Sequence, residues 1–212
     1  MSNSKILNLD NLSSQEFDED AELIPLMTTE DEEQINSEIL PDNLPILPLK
    51  NTVLFPGVVI PITAGRDKSI KLINDANNSS KIVGVVSQKD EEVEEPKFKD
   101  LNKVGVVAKI LRVLKMPDGN TTVIIQGKKR FKIEEPVSED PYVVCSISEF
   151  NEDYNGKMSD ELATILEELK TLALRIIKES PNIPSEASFA VKNIESSSFL
   201  IIFISSNMSL EV

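Results

Sequence analysis

Leu44–Ile62 reads LPILPLKNTVLFPGVVIPI, and the reading of this stretch decides the fold. Pro45, Pro48, Pro56 and Pro61 interrupt a segment otherwise filled with Leu, Ile, Val and Phe. Proline removes a backbone donor and fixes φ, so the segment suits neither a continuous helix nor an unbroken central strand. It reads as short extended pieces joined by bends. Ile46–Leu49 and Thr52–Phe55 are expected to pair in a sheet, Phe55-Pro56-Gly57 to turn the chain, and Val58–Ile60 to pair again before Pro61 stops the ladder. So much apolar mass on so irregular a path predicts the β-core of a small sheet domain.

Working outward, Gly65–Asn77 carries Ile70, Leu72 and Ile73 on one side and Lys68, Lys71 and Asp75 on the other, which predicts a short amphipathic helix ended by Asn77-Asn78-Ser79-Ser80. Lys81–Ser87 reads as a strand and Asp90–Glu95, DEEVEE, as a solvated acidic loop closed by Pro96. Val104–Met116 reads as a long strand, with Ala108, Ile110 and Leu114 on one face. Pro117-Asp118-Gly119-Asn120 is the sharpest local signal, a hairpin in which Gly119 takes the left-handed conformation. Thr121–Gln126, Lys128–Glu134 and Tyr142–Phe150 then complete a meander. In the last of these Val143, Cys145 and Ile147 share a face, placing Cys145 in the core.

From Met158 the apolar period changes from two to three and four. Ser159 caps a helix with Asp160 and Glu161 in its first turn and Leu162, Ile165, Leu166, Leu169, Leu172, Ile176 and Ile177 as its buried stripe. Ser185 caps a second helix, Glu186–Ile194. Ser196–Ser206 forms a third, whose apolar middle Phe199–Ile204 requires cover. Strands first and helices afterwards predict a segregated α+β architecture. The domains are an acidic, mostly disordered tail (1–43), a β-rich subdomain (44–150) and a helical subdomain (151–212).

Charge divides along the same lines. The net charge is −14 over 212 residues. Residues 1–43 hold twelve acids against one base, Lys5, for a net −11, so the remaining 169 residues carry only −3. The tail reads either as a solvating leader or as a docking arm, with Leu23–Met27 as an apolar insert able to pair or dock transiently and Glu30–Ile39 able to form a fraying helical turn. It lacks the apolar core of a secretory signal and the arginines of a mitochondrial presequence, so a cytoplasmic setting is expected. No apolar run is long enough to span a membrane.

The residues offer little chemistry. With no histidine, Ser-His-Asp and Cys-His arrangements and His-ligated metal sites are excluded, and the single cysteine excludes a disulfide within the chain. Gly127-Lys128 and Gly156-Lys157 both fail the phosphate-loop pattern, at the glycine five residues before and at the hydroxyl residue after. Glu94-Glu95 and Glu134-Glu135 read as solvated pairs in loops beside prolines, and the acidic loop lacks the spacing of a calcium site. No catalytic residue, metal ligand or cofactor site is expected.

Several short matches, in order along the chain, carry a resemblance. Leu44–Lys50, Val53–Gly57, Pro61, Arg66 and Ser69 resemble the opening of the Lon N-terminal domain, the substrate-binding region of the bacterial-type ATP-dependent Lon proteases. The likeness continues through Gly84–Asp90, Asp100-Leu101, Val104–Ile110, Met116–Asn120 and Gly127–Phe131 and covers about residues 44 to 210. Lys50 stands where arginine is common in the family, keeping the charge without the planar fork. The resemblance implies a PUA-like pseudobarrel followed by a small helical bundle. It also implies a larger homo-oligomeric machine for protein quality control and the stress response, whose ATPase and Ser-Lys protease regions, with ATP and Mg, lie outside this chain.

The leading functional expectation is a non-catalytic recognition module that captures unfolded, misfolded or tagged polypeptide for an ATP-dependent serine protease. The alternative is a structural adaptor that positions partner subunits without binding clients. Candidate polypeptide contacts are Phe55, Pro56, Phe98, Leu114, Met116 and Pro117, each with ordinary core or turn packing as the alternative. RNA binding is opposed by the charge, by two tyrosines and no tryptophan, and by the lack of a basic aromatic surface.

Overall fold

The computed structural model describes residues 39–117, 119–150, 159–180, 183, 186–194 and 196–208. Six strands form one mixed sheet: β1 (Asn43–Leu49), β2 (Val59–Ala64), β3 (Ile82–Ser87), β4 (Val104–Lys115), β5 (Thr121–Ser138) and β6 (Val144–Glu149). β1 lies parallel to β3 and antiparallel to β6, while β3, β4 and β5 form an antiparallel run. Because β5 also pairs with β6, the strands β5, β4, β3, β1 and β6 close into a ring, with β2 attached to β5 outside it. This is the expected α+β pseudobarrel, and its closure leaves few open edges.

Alternation along the strands feeds two cores. Leu44, Ile46, Val86, Val107, Phe131, Ile133 and Cys145 come from all five ring strands and fill the ring. Neighbouring positions point the other way: Leu47, Leu49, Val83, Val85, Ala108, Ile110, Val123 and Ile125 pack with Leu72, Ile73 and Ala76 of helix α1 (Asp67–Asn77). The amphipathic reading of α1 therefore holds.

Four readings of the β region need correction. Leu114 does not share a face with Ala108 and Ile110, because the register shift between Ile110 and Arg112 turns Val113 to the core and Leu114 to the opposite side. Thr52–Phe55 has no strand pairing and is a connecting segment before the turn at Gly57, whose φ is 79°. Pro61 does not end β2, which runs to Ala64 with Pro61 opposite Ile124. The Gly127 amide donates to the Val58 carbonyl at 2.8 Å, so strict antiparallel alternation puts Pro61 at a non-hydrogen-bonded position. Its missing N–H faces the open edge and costs the ladder nothing. Thr121–Gln126 and Lys128–Glu134 are also one continuous strand, bent where the β4–β5 register shifts between Val106 and Ala108. Its first half pairs with β2 and its second with β6.

The hairpin is as expected: Gly119 has φ 91°, and the Met116 amide donates to the Asn120 carbonyl at 2.9 Å. The acidic loop is more tightly held than a solvated loop. Buried Gln88 donates from its amide nitrogen to the Asp90 and Val93 carbonyls and accepts from Arg66 at 2.9 Å, while Lys50 and Lys68 pair with Glu94 and Glu95. The Lys50 hydrogen bond and charge lower the Glu94 pKa. Glu134-Glu135 lies within β5, where Glu134 accepts from the Ser148 hydroxyl, and is not in a loop.

Cys145 is fully buried. Burial, with a smaller contribution from Glu139, pushes its thiol up to about 11. Since the thiolate is the nucleophile, native Cys145 is expected to resist alkylation at pH 8 and to react at the unfolded-thiol rate once denaturant opens the barrel. The linkage sign follows from the raised folded value. The native state holds this proton where the unfolded chain, with a thiol near ~8.5, has lost it, so stability falls as pH climbs from about 8.5 toward 11. Urea titrations at pH 8 and pH 10 check this.

The helical part comprises α2 (Asp160–Glu179), α3 (Glu186–Asn193) and α4 (Ser197–Ser206). Ser159 caps α2 by accepting from the Leu162 amide at 3.1 Å, and Ser196 caps α4 in the same way. Of the apolar middle of α4, Phe199, Leu200 and Phe203 are buried while Ile201 is exposed; Leu200 and Phe203 pack with Val191 and with Ala173, Leu174 and Ile177 of α2. The α2 stripe is not buried throughout. Leu162, Ile165, Leu172 and Ile176 are 38–57 % exposed, because the short α3 and α4 cover only the side of α2 that bears Leu174 and Ile177. The expectations for the tail through residue 38, for Asp118 and for the Ser185 cap lie outside the described residues.

Candidate functional site

Two of the strands around the Leu44–Ile62 path end up carrying an open surface. In β2, Ile60 and Ile62 pack into the core shared with α1, which turns Val59, Pro61 and Thr63 to the opposite side. Their partners Gln126, Ile124 and Thr122 share that side on β5, and through the β4–β5 register so do Lys109, Arg112 and Leu114. The result is a three-stranded face. Pro61, Thr63, Lys109 and Arg112 are exposed, and Val59, Ile124 and Leu114 are half-buried.

Electrostatically the face is one-signed. Val59–Ala64, Lys109–Lys115 and Thr121–Gln126 contain no Asp or Glu. Lys109 and Arg112 have no ion-pair partner among the described residues. Val59 and Pro61 of β2, Ile124 of β5 and Leu114 of β4 thus lie beside the two cations of β4. Strand addition at the free edge of β2 is impeded, because the outward-facing Pro61 offers no N–H midway along it.

The structure gathers most of the sequence candidates around this face. The Phe55-Pro56 bend sits at one end, where the Gly57 amide donates to the Gly127 carbonyl at 2.9 Å. Leu114 lies on the face, and Met116 and Pro117 close the other end at the hairpin. Met116 is 44 % exposed. β2 spans six residues, so the ends lie roughly 20 Å apart at the usual strand rise. Phe98 does not join them. It opens the 3-10 turn Phe98–Asp100 and packs, half-buried, on the core inside the ring. Val59, Pro61 and Ile124 were missed by sequence reasoning, since the face exists only after β2 and β5 pair.

A second feature corrects the expectation of no basic aromatic surface. Arg130 and Lys132 on β5 each lie 5.3 Å from the centre of the Phe150 ring. The sequence separation of about twenty residues hid a contact that β5–β6 pairing creates. No group of three or more acidic or Cys side chains able to hold a metal ion occurs among the described residues, and no described helix is long and apolar enough to cross a membrane.

Comparison with known proteins agrees with this architecture. The family profile described as the ATP-dependent protease La (LON) substrate-binding domain matches residues 43–212. A Lon protease of Flavobacterium johnsoniae is 68% identical over all of this chain and 26% of its own length. A Lon protease of Cytophaga hutchinsonii is 47% identical over 92% of this chain and 24% of its own. The chain thus spans about a quarter of the length of these relatives. Among solved structures, the N-terminal domain of a Mycobacterium avium complex Lon protease superposes with a TM-score of 0.64 over 80% of this chain and 84% of that one. At 23% identity that likeness speaks for the fold alone. With a profile covering residues 43–212 and 68% identity to a relative over the whole of this chain, the chain belongs to the Lon protease family and carries that family's substrate-binding domain.

Proposed function

We propose that this chain is a non-catalytic recognition module that binds unfolded, misfolded or tagged polypeptides and passes them to the ATP-dependent proteolytic machinery of a Lon-type parent in the cytoplasm. The observation that carries the reading is the open β2–β5–β4 face, where Pro61, Ile124 and Leu114 lie beside Lys109 and Arg112 with no carboxylate among them. Native clients bury their apolar side chains, so a surface of this kind selects the unfolded form. One face of this size binds weakly, and several copies on one substrate supply the avidity. ATP and Mg act elsewhere in such a parent.

The test is a fluorescence-anisotropy titration of a labelled, permanently unfolded protein beside its native form, taken to hundreds of micromolar chain. The unfolded form is expected to bind selectively. Ile124→Thr combined with Met116→Ser is expected to weaken that binding by about tenfold, about 1.4 kcal/mol, with a small change in melting temperature, because threonine keeps the β-branched shape at half-buried Ile124 and Met116 is exposed. Equal binding by the variant, or equal binding of native and unfolded forms, rejects the proposal.

The adaptor reading has an observation of its own in the exposed Leu162, Ile165, Leu172 and Ile176 of α2. These sit on one helix face at the spacing of a helix-to-helix seam and suit docking of a folded helical partner. Ile165→Ser with Leu172→Ser is expected to disrupt parent assembly while sparing client capture by the isolated chain. Loss of client capture in this variant instead moves recognition to the helical part.

A further inference from the structure

We infer that the chain supplies its own occupant for the open face: residues 17–33, FDEDAELIPLMTTEDEE, dock on β2, β5 and β4 and compete there with clients. The competition rests on the client-binding reading above; the docking does not. The segment places an apolar pentapeptide, Leu23–Met27, between the acids Asp18–Glu22 and Glu30–Glu33. On the face, Pro61, Ile124 and Arg112 share the middle row, with Val59 and Lys109 in the row at one end and Leu114 in the row at the other, so apolar groups lie beside two cations that have no ion-pair partner among the described residues.

Charge favours contact between the tail and this face: the first 43 residues carry −11, whereas the face bears Lys109 and Arg112 and no carboxylate. Reach is sufficient. The tail enters the fold beside β6, where the Ile147 amide donates to the Asp42 carbonyl at 3.0 Å. From there the face lies about 10 Å across the strands β6 and β5 and about 30 Å along β5, from Ile133 opposite Ile147 to Ile124 opposite Pro61. Residues 28–38, before Leu40 packs on the barrel core, extend to roughly 36 Å. An intramolecular ligand also acts at the high effective concentration set by its short tether, so weak contacts suffice. Pro25 in the insert and Pro61 on the edge both discourage strand pairing, leaving side-chain contact as the mode.

The experiment compares amide NMR spectra of the full 212-residue chain with those of the chain carrying Leu23→Ser, Ile24→Ser and Leu26→Ser. Shift changes are expected at Val59–Thr63, Lys109–Leu114 and Thr122–Gln126. The same changes are expected from added salt, and Lys109→Glu with Arg112→Glu is expected to remove the response to the tail substitutions. Client affinity, by anisotropy, is expected to rise about tenfold in the triple variant as the tethered competitor is lost. Unchanged amide shifts on this face overturn the docking. Shift changes with unchanged client affinity sustain the docking and overturn the client reading of the face.

Discussion

Phe131→Ala is expected to be the most destabilising single truncation in the barrel, costing about 3–5 kcal/mol in urea denaturation. Phe131 is fully buried at the centre of the ring, among Ile46, Val86, Val107 and Cys145. Its ring takes the room that two side chains would otherwise fill. A Cβ on Gly84 of β3 would lie 2.9 Å from the ring's Cζ, and one on Gly105 of β4 2.8 Å. With the ring gone, neither glycine has a side chain to fall into the hole, so the cavity persists. Phe131→Leu is expected to recover more than half of the loss. A cost below 1 kcal/mol for the alanine variant would mean that the ring strands collapse onto one another and that the interior is not the close-packed core described.

Gly127→Ala adds one methyl group and is expected to cost about 1–3 kcal/mol or more, and to weaken client binding as well. A Cβ there would stand 2.2 Å from the Phe55 carbonyl oxygen and 3.0 Å from its carbon. These are backbone atoms and have no rotamer to escape into. Gly127 is also held on both sides, donating to Val58 at 2.8 Å and accepting from Gly57 at 2.9 Å. Relief therefore displaces the Phe55-Pro56 bend or breaks the start of the β2 ladder, and both border the open face. Differential scanning calorimetry and the anisotropy titration read the two effects separately. A variant of unchanged stability would show that β5 and the bend can separate freely.

The features legible in the sequence are those whose causes lie within a few residues. Gly119 takes a positive φ because a tight hairpin after Pro117 demands one. Ser159 caps α2 because its hydroxyl reaches the amide three residues on. Cys145 is buried because the two-residue period ties it to Val143. A chain of such local matches, from Leu44 to Phe131, was also enough to mark the family and with it the pseudobarrel.

The errors have a common physical origin. Pro61 and Gly127 read locally as strand breakers, yet Pro61 sits where no donor is needed and Gly127 where no side chain fits. Phe98 read as a candidate polypeptide contact, but its ring packs half-buried on the barrel core, beyond an acidic loop that Gln88 and Arg66 draw in. The α2 stripe read as buried because its period is that of a buried face, whereas cover depends on the length of the helices opposite.

The sequence by itself determined the α+β order of elements, the hairpin, the caps, the acidic tail and the membership of a family, because each rests on short-range sterics and hydrogen bonding or on ordered local matches. Only the tertiary structure decided that β5 closes the ring through β6, that Phe131 fills the space over Gly84 and Gly105, and that Val59, Pro61, Ile124, Leu114, Lys109 and Arg112 share one open face. These are pairings between residues tens of positions apart. Their register is set by which hydrophobic faces can be buried together, and no local window contains that information.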